Sequence, residues 1–334
     1  DPGEDVYVSP NASFSIFTVA ITVPASATIG TTRMRVQCRY NDVPTLTSCC
    51  GTTNYPGETE DYNFTVLAAG PCSGIPTAGT VAGASTCIGA STILSVAGFS
   101  IGSGITFQWQ QLNGSTWANV VGGTGATTAT YITPNLFTNT QYKCLVKCTN
   151  SNSTSSTSPY TVVVTPPLST APVSGAYVFG ATTNTSFNTA TNWFNYTTAT
   201  GYSIASVPPS ATHTVIVPAI ATCVKALPVL MADASIANLE IQSGAKLALN
   251  GFDLTLMGAL TGTGTIKGAI TSSLNINSNA SSTLYFDQSD PGYSNALQNL
   301  SLSGTGTISL ATLLNMCAGS TAGTVQLSSN KTLQ

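Results

Sequence analysis

Charge is what this chain has least of. Only 6% of its 334 residues are Asp, Glu, Lys or Arg, against about 25% in an ordinary soluble domain. The stretches 62–142 and 148–224 contain none at all. Such a surface has to be hydrated by Thr, Ser, Asn and Gly, and the fold cannot lean on networks of ion pairs. Nine basic residues stand against twelve acidic ones, for a net charge of −3. That leaves no basic footprint of the kind a phosphate backbone demands, which excludes nucleic acid as the expected partner.

Histidine is nearly missing too, with His213 alone. A lone imidazole cannot build a metal site, and a catalytic triad would need a nucleophile and a carboxylate that no motif marks beside it. No apolar run approaches the roughly 20 residues of a membrane-crossing helix, so no membrane span is expected. A phosphate loop is lacking as well: the Gly-Thr-Gly-Thr segments at Gly262 and Gly304 sit between strand patterns, without the helix dipole that holds phosphate. The sequence opens at Asp1 with no basic and apolar leader, and reads as a processed product or a fragment.

What is plentiful is alternation, punctuated by 30 glycines and 17 prolines. Length suggests two or three domains, and shifts in pattern divide the chain at 1–70, 71–166 and 167–334, all of them all-β. Nine cysteines, none arranged as Cys-x-x-Cys beside histidine, point to disulfides and an oxidising, extracytoplasmic compartment. The odd count leaves at least one unpaired.

In the first segment, residues 13–23, 33–36 and 62–66 alternate as strands with one wet face. Glu58, Glu60 and Asp61 form the densest acidic cluster, expected to face Arg33, Arg35 and Arg39 across neighbouring strands rather than to form a catalytic dyad. Cys38 is expected to pair with Cys49 or Cys50. The stretches Gly30-Thr31-Thr32-Arg33-Met34-Arg35-Val36 and Gly57-Glu58-Thr59-Glu60-Asp61-Tyr62 resemble the GEVED domain, a β-rich module of secreted bacterial multidomain proteins, with Thr59 where that family has Val. The resemblance implies that Asp1-Pro2-Gly3-Glu4 ends an acidic loop begun before residue 1. Asp1 and Glu4 would then be ligands of a hard cation, Ca²⁺, which gathers several carboxylate and carbonyl oxygens; the competing reading is a solvated loop. No other cofactor is expected.

The second segment is organised around Cys87, Trp109, Tyr142 and Cys144. That order is what an inter-sheet disulfide, Cys87–Cys144, packed on a buried indole requires, with the tyrosine two residues before the second cysteine closing a corner. Strand patterns recur at 91–96, 105–110, 129–132, 141–146 and 160–164. A second bridge, Cys72–Cys148, would tie the entering chain to the end of the Tyr142 strand. The phrases Thr106-Phe107-Gln108-Trp109-Gln110, Ser115-Thr116-Trp117 and Tyr142-Lys143-Cys144 resemble Ig-like repeats of bacterial surface adhesins. The resemblance implies an Ig-like sandwich used as a spacer or binding module. Trp117, just past an Asn113-Gly114 turn, is the candidate for stacking on a glycan; the plainer reading is a hairpin indole packed on its own sheet.

The third segment follows Thr165-Pro166-Pro167, read as a stiff linker. Asn238-Leu239-Glu240-Ile241-Gln242-Ser243-Gly244 returns about 61 residues on at Asn299, and Gly262-Thr263-Gly264-Thr265-Ile266 returns about 42 on at Gly304. Both offsets approach multiples of roughly 20, the scale of one turn of a solenoid. A right-handed parallel β-helix is expected, with strands at 246–249, 253–257, 272–276 and 283–286. Residues 188–193, 207–209 and 215–218 resemble the start of β-helical modules in proteins exported by the type IX secretion route. Residues 323–334 read as the opening of a further, uncapped rung, and stacking could bring Cys223 to Cys317. Asp287 and Asp290 could serve as paired carboxylates of a glycosidase or lyase, but Asp-x-x-Asp-Pro-Gly is more simply a turn.

The expectation is a non-enzymatic, structural and adhesive segment of a secreted bacterial cell-surface protein. Its partners would be glycans, neighbouring surface proteins or further copies of itself. The alternative is an accessory region of a polysaccharide-degrading enzyme or a carbohydrate-binding protein.

Overall fold

The computed structural model describes residues 23, 27–39, 57–67, 70–221, 223–224, 226–318, 321–322, 324–327 and 331–334. Two compact units result, one of residues 1–72 with 101–103 and one of residues 73–100 with 104–334. Both are all-β.

In the first unit, β1 (Gly30–Arg39) and β2 (Gly57–Val66) form an antiparallel ribbon without a bulge. Arg35 stands opposite Asp61. Its guanidinium donates from Nε to Oδ1 at 2.7 Å and from a terminal nitrogen to Oδ2 at 2.9 Å, while Arg33 reaches the same carboxylate at 3.6 Å. Hydrogen bonding from Arg35 holds the Asp61 carboxyl below its usual range. The expected pairing across strands is present at Asp61, whereas Glu60 stands opposite Val36, Glu58 opposite Cys38 and Arg39 opposite Gly57, so the register does not set these three against a partner of opposite charge.

The second unit begins as a two-sheet sandwich. Its strands are β3 (Thr80–Gly83), β4 (Thr86–Cys87), β5 (Ile93–Ala97), β6 (Ile105–Asn113), β7 (Thr116–Asn119), β8 (Thr130–Ile132), β9 (Thr140–Cys148), β10 (Ser153–Ser156), β11 (Tyr160–Val162) and β12 (Val164–Thr165). One sheet runs β3-β5-β8 and the other β10-β9-β6-β7, with β11 also on β9. Alternation decides which side faces in: along β9 every even residue from Thr140 to Cys148 is buried and every odd one is half-exposed. Leu94 and Val96 of β5 share one core cluster with Trp109, Tyr131, Tyr142 and Cys144. The Trp109 indole N–H donates to the Thr128 carbonyl at 2.9 Å.

Cys87 does not bridge to Cys144. It is bonded to Cys223, 136 residues away, and Cys144 remains a buried free thiol. The reason lies in the strand that feeds the core. Leu94 and Val96 supply the β5 contribution around Trp109, whereas Cys87 stands one strand earlier, on a two-residue β4 whose partner is β12. Bonding to Cys87 also rules out the Cys223–Cys317 pairing. Nor does Tyr142 close a corner: its hydroxyl is buried without a hydrogen-bond partner among the described residues.

That β4–β12 pair is parallel and reaches Thr165, so the first residue of the segment read as a stiff linker is held in a hydrogen-bonded ladder of the sandwich. Beyond it, β13 (Tyr177–Phe179), β14 (Trp193–Thr197) and β15 (Gly201–Ile204) form an antiparallel lead-in. Phe194 of β14 lies so close to Gly89 and Gly180 that a Cβ would stand 2.9 Å from its ring at the first and 2.3 Å at the second. The joint between sandwich and lead-in is thus packed, hydrogen-bonded and covalently closed.

From β16 (Thr214–Val217) onward the chain coils. β17 (Ala234–Ile236), β18 (Asn238–Ile241), β19 (Lys246–Ala248), β20 (Leu254–Leu256), β21 (Leu260–Thr261), β22 (Thr265–Lys267) and β23 (Ala269–Asn277) visit three parallel stacks in a fixed order. The stacks are β16-β18-β21, β19-β22 and β17-β20-β23, the last continuing to β25 after β24 (Ser282–Leu284) and β25 (Leu297–Ser303). β26 (Gly306–Leu310) pairs in parallel with β24. In the longest stack Ala234, Leu254, Leu274, Leu300 and Val325 are successive partners, so one coil takes 20 to 26 residues. Leu239, Leu247, Leu254, Ile266, Leu274 and Leu300 point into one dry core.

The strands expected at 246–249, 253–257, 272–276 and 283–286 are all present, but the two sequence repeats do not mark equivalent positions. Asn238 begins β18, in the β16-β18-β21 stack, whereas Asn299 lies in β25, in the stack of β20 and β23. The similarity is local, a strand followed by a glycine turn, and the coil does not repeat with it. Corner geometry accounts for the glycines. At Gly262, φ is +83°, and a Cβ would stand 2.0 Å from the carbonyl oxygen of Ile241 on the preceding rung.

Candidate binding face of the sandwich

The register of β9, β6 and β7 sets out one flat, outward face. Trp109 pairs with Cys144 on the buried side, so their neighbours point the other way: Gln108 opposite Leu145, Gln110 opposite Lys143 and Thr106 opposite Lys147. Across the Gly114-Ser115 turn, Asn119 stands beside Gln110 and Trp117 beside Leu112. Gly114 takes φ of +62° there, the left-handed conformation a two-residue hairpin turn requires.

Trp117 is half-buried, and the Lys143 ammonium lies 4.6 Å from the centre of its ring. One face of the indole is therefore already taken by a cation, worth about 0.5–1 kcal/mol at a site this exposed. A sugar stacking there would have to displace Lys143 or use the remaining ring surface. The Gln110 side-chain amide donates to Asn119 Oδ1 at 3.1 Å, which leaves Gln110 Oε1 and the Asn119 amide turned to other partners. The sequence reading singled out Trp117 and missed Lys143 and Lys147. Their signal was available, since these two are the sole formal charges between Tyr62 and Val224.

The remaining sequence candidates are dispersed. Cys72 and Cys148 are both disulfide-bonded. Cys38 lies in β1; Cys49, Cys50, Asp1 and Glu4 lie outside the described residues. Burial pushes the Cys144 thiol up to about 11, which keeps it protonated and poorly nucleophilic. His213 stacks on Tyr177 with ring centres 4.1 Å apart, and the Ser210 backbone N–H donates to its Nδ1 at 3.0 Å. Its environment is structural, and burial lowers its pKa.

Asp287 is buried and takes part in an ion pair with Lys246 at 2.6 Å. It accepts further bonds from the Ser289 N–H at 3.1 Å and the Ser289 hydroxyl at 2.8 Å. Burial works to raise its pKa, but these donors and the lysine charge outweigh it and leave the carboxyl below its usual range. Asp290 is exposed; its carbonyl accepts the Tyr293 and Ser294 N–H groups. The pair builds a turn, with Asp287 anchored to β19.

Two shallow grooves run along the coil. One, of about 350 Å³, is lined by hydroxyls such as those of Thr261, Ser281, Thr283 and Ser309 together with Tyr285, and contains no ionisable group besides that phenol. The other, of about 240 Å³, has a single carboxylate, Asp253, whose Oδ1 accepts the Ser273 N–H at 2.7 Å. Among the described residues no three His, Cys, Asp or Glu side chains converge to hold a metal ion, and no helix is long and apolar enough to cross a membrane.

No curated protein matches the chain. Residues 77–166, which span nearly all of the sandwich, match a family described as a domain of unknown function, DUF8696. Residues 1–65 match the GEVED domain, which bears out the resemblance read from the strands of the first unit and makes this a modular, all-β chain with a GEVED-like segment at its start.

Proposed function

We propose that this chain is a structural and adhesive segment of a secreted bacterial surface protein, in which a GEVED-like module, an Ig-like sandwich and a right-handed parallel β-helix act as a stalk that presents binding faces. The observation that carries this reading is the joint between sandwich and coil. A parallel ladder, the Phe194 ring against two glycines and the Cys87–Cys223 bridge meet there, which is how a spacer transmits orientation and resists proteolysis. Disulfides on this scale fit an oxidising, extracellular setting.

The hydroxyl-lined grooves support binding over bond cleavage. General acid and base catalysis of glycoside hydrolysis needs two carboxylates about 5–9.5 Å apart, and neither groove brings two together. The test is incubation of the full chain with a panel of polysaccharides, with products analysed by mass spectrometry and the protein imaged by electron microscopy. Saturable binding or filaments without new reducing ends is the expected result. Sustained release of oligosaccharides would overturn the reading in favour of an enzyme.

The alternative of a carbohydrate-binding module draws support from Trp117 with its adjoining amides, and the two readings agree in predicting no turnover.

A further inference from the structure

From the outward face of β10-β9-β6-β7 we infer a binding site for an acidic polysaccharide, in which Lys143 and Lys147 pair with carboxylate or sulfate groups and Trp117 with the Gln110–Asn119 amides takes the sugar rings. This rests on the adhesive reading above and names the ligand class. From Tyr62 to Val224 the chain has dispensed with formal charge except at these two lysines, and both project from the same side of one strand. Neither ammonium has a carboxylate partner among the described residues. Two unbalanced cations on an otherwise neutral sheet set a local positive potential with nothing to screen it but salt. Removing them from the net charge of −3 leaves −5 for the rest of the chain, so this face carries a positive charge that the chain as a whole does not.

The chemistry of the face selects a sugar chain among anions. The lysines are four residue steps apart on one strand, which places their Cα atoms about 13–14 Å apart. Two cations that far apart can engage carboxylates several sugar residues apart on one chain at once. Between and beside them are an amide pair, the hydroxyls of Thr106 and Thr154 and a half-exposed indole, groups that bond to sugar hydroxyls and cover a pyranose face. Lys143 resting on Trp117 makes the site self-reporting: an arriving anion draws the ammonium off the ring and frees that surface for the sugar.

The experiment uses the full chain and a matched pair of polymers, polygalacturonate and its fully methyl-esterified form, which share a backbone and differ in charge. Trp109 and Trp193 are 0% exposed, so a ligand-induced change in tryptophan emission reports Trp117. Expected are saturable binding of polygalacturonate with an emission change and at least about tenfold weaker binding of the ester. Lys143→Gln and Lys147→Gln should each weaken binding about fivefold, and Lys143→Arg should retain it. Trp117→Ala should abolish the emission change, with circular dichroism and melting confirming that each variant folds. Equal affinity for the ester, or wild-type affinity in the Lys143→Gln/Lys147→Gln double variant, overturns the inference while leaving adhesion intact. Absence of binding to either polymer overturns it too, and single-stranded DNA competing as well as polygalacturonate overturns the choice of a sugar. Cleavage of the polymer would instead sink the underlying reading.

Discussion

Replacing both members of the Cys87–Cys223 bridge by serine should lower the melting temperature of the second unit by about 9 °C. The bridge closes a loop of 136 residues, and on the chain-entropy model a loop of that length constrains the unfolded state by about 5 kcal/mol. Unfolding entropy of about 2.1 cal/mol/K per residue, over roughly 260 residues, converts that into the stated shift. The double variant is the right perturbation, because a reductant would also act on Cys72 and Cys148, and a single substitution would leave an unpaired thiol. Differential scanning calorimetry at pH 7 gives the answer. If the joint couples sandwich and coil, the wild type melts in one transition and the variant melts earlier, or splits into two as the halves uncouple. A variant that melts within about 2 °C of wild type in one unchanged transition would refute the reasoning, since neither loop closure nor coupling could then be operating.

Lys246→Met leaves the buried Asp287 carboxylate without its cation and should cost about 2 kcal/mol at pH 7, below the roughly 3–5 kcal/mol of a fully buried pair because Lys246 is about a third exposed. The Asp287 pKa is depressed in the folded state, so its contribution is present above about pH 4 and is lost as pH falls through the lower folded value; the gap between the urea midpoints of wild type and variant should narrow as pH is lowered from about 4, and a gap that stays constant or widens would count against the pair. For His213, the folded pKa is also lowered, by burial, so neutral imidazole stabilises the fold above about pH 6.5 and that contribution fades as pH drops through the folded value. NMR titration of this single histidine should give a midpoint below 6.5, and a midpoint above it would contradict the assignment. Gly262→Ala should destabilise by more than about 2 kcal/mol, since its Cβ meets the Ile241 oxygen, whereas Gly244→Ala, with φ of +79° and open space around it, should cost only about 1 kcal/mol; equal losses would show that the corner clash is relieved.

Strand positions were legible because alternation is a local property: β9 reads as in and out from Thr140 to Cys148, and the structure buries that set. Cross-chain pairing was not. Whether Cys87 meets Cys144 or Cys223 depends on which strand faces Trp109, and that is settled by Leu94 and Val96 on β5 entering the core, a choice invisible in cysteine spacing. The rung repeat failed for the same reason. Asn238 and Asn299 share their neighbours in sequence but belong to different stacks, because coils of 20 to 26 residues do not keep phase with a 61-residue motif. Trp117 was legible as an aromatic past a hairpin turn, but its contact with Lys143 required the register that sets Gln110 between β7 and β9.

Scarcity of charge, the first feature of the sequence, explains the division of labour in the folded chain. A sheet with few ionisable groups gains little from ion pairs and loses little when salt or pH changes, so cohesion must come from dry rungs, backbone ladders and cross-links. Leu239, Leu254 and Leu274 in the coil and the bridge at the joint supply these. Each charge that remains must then either be compensated, as Asp61 is by Arg35 and Asp287 by Lys246, or face outward to something else. Lys143 and Lys147 are the cations of the sandwich that no carboxylate answers, on a face whose amides and indole are already oriented. The same scarcity therefore concentrates the uncompensated positive charge of the sandwich on one face, the face where the proposed acidic polysaccharide would bind.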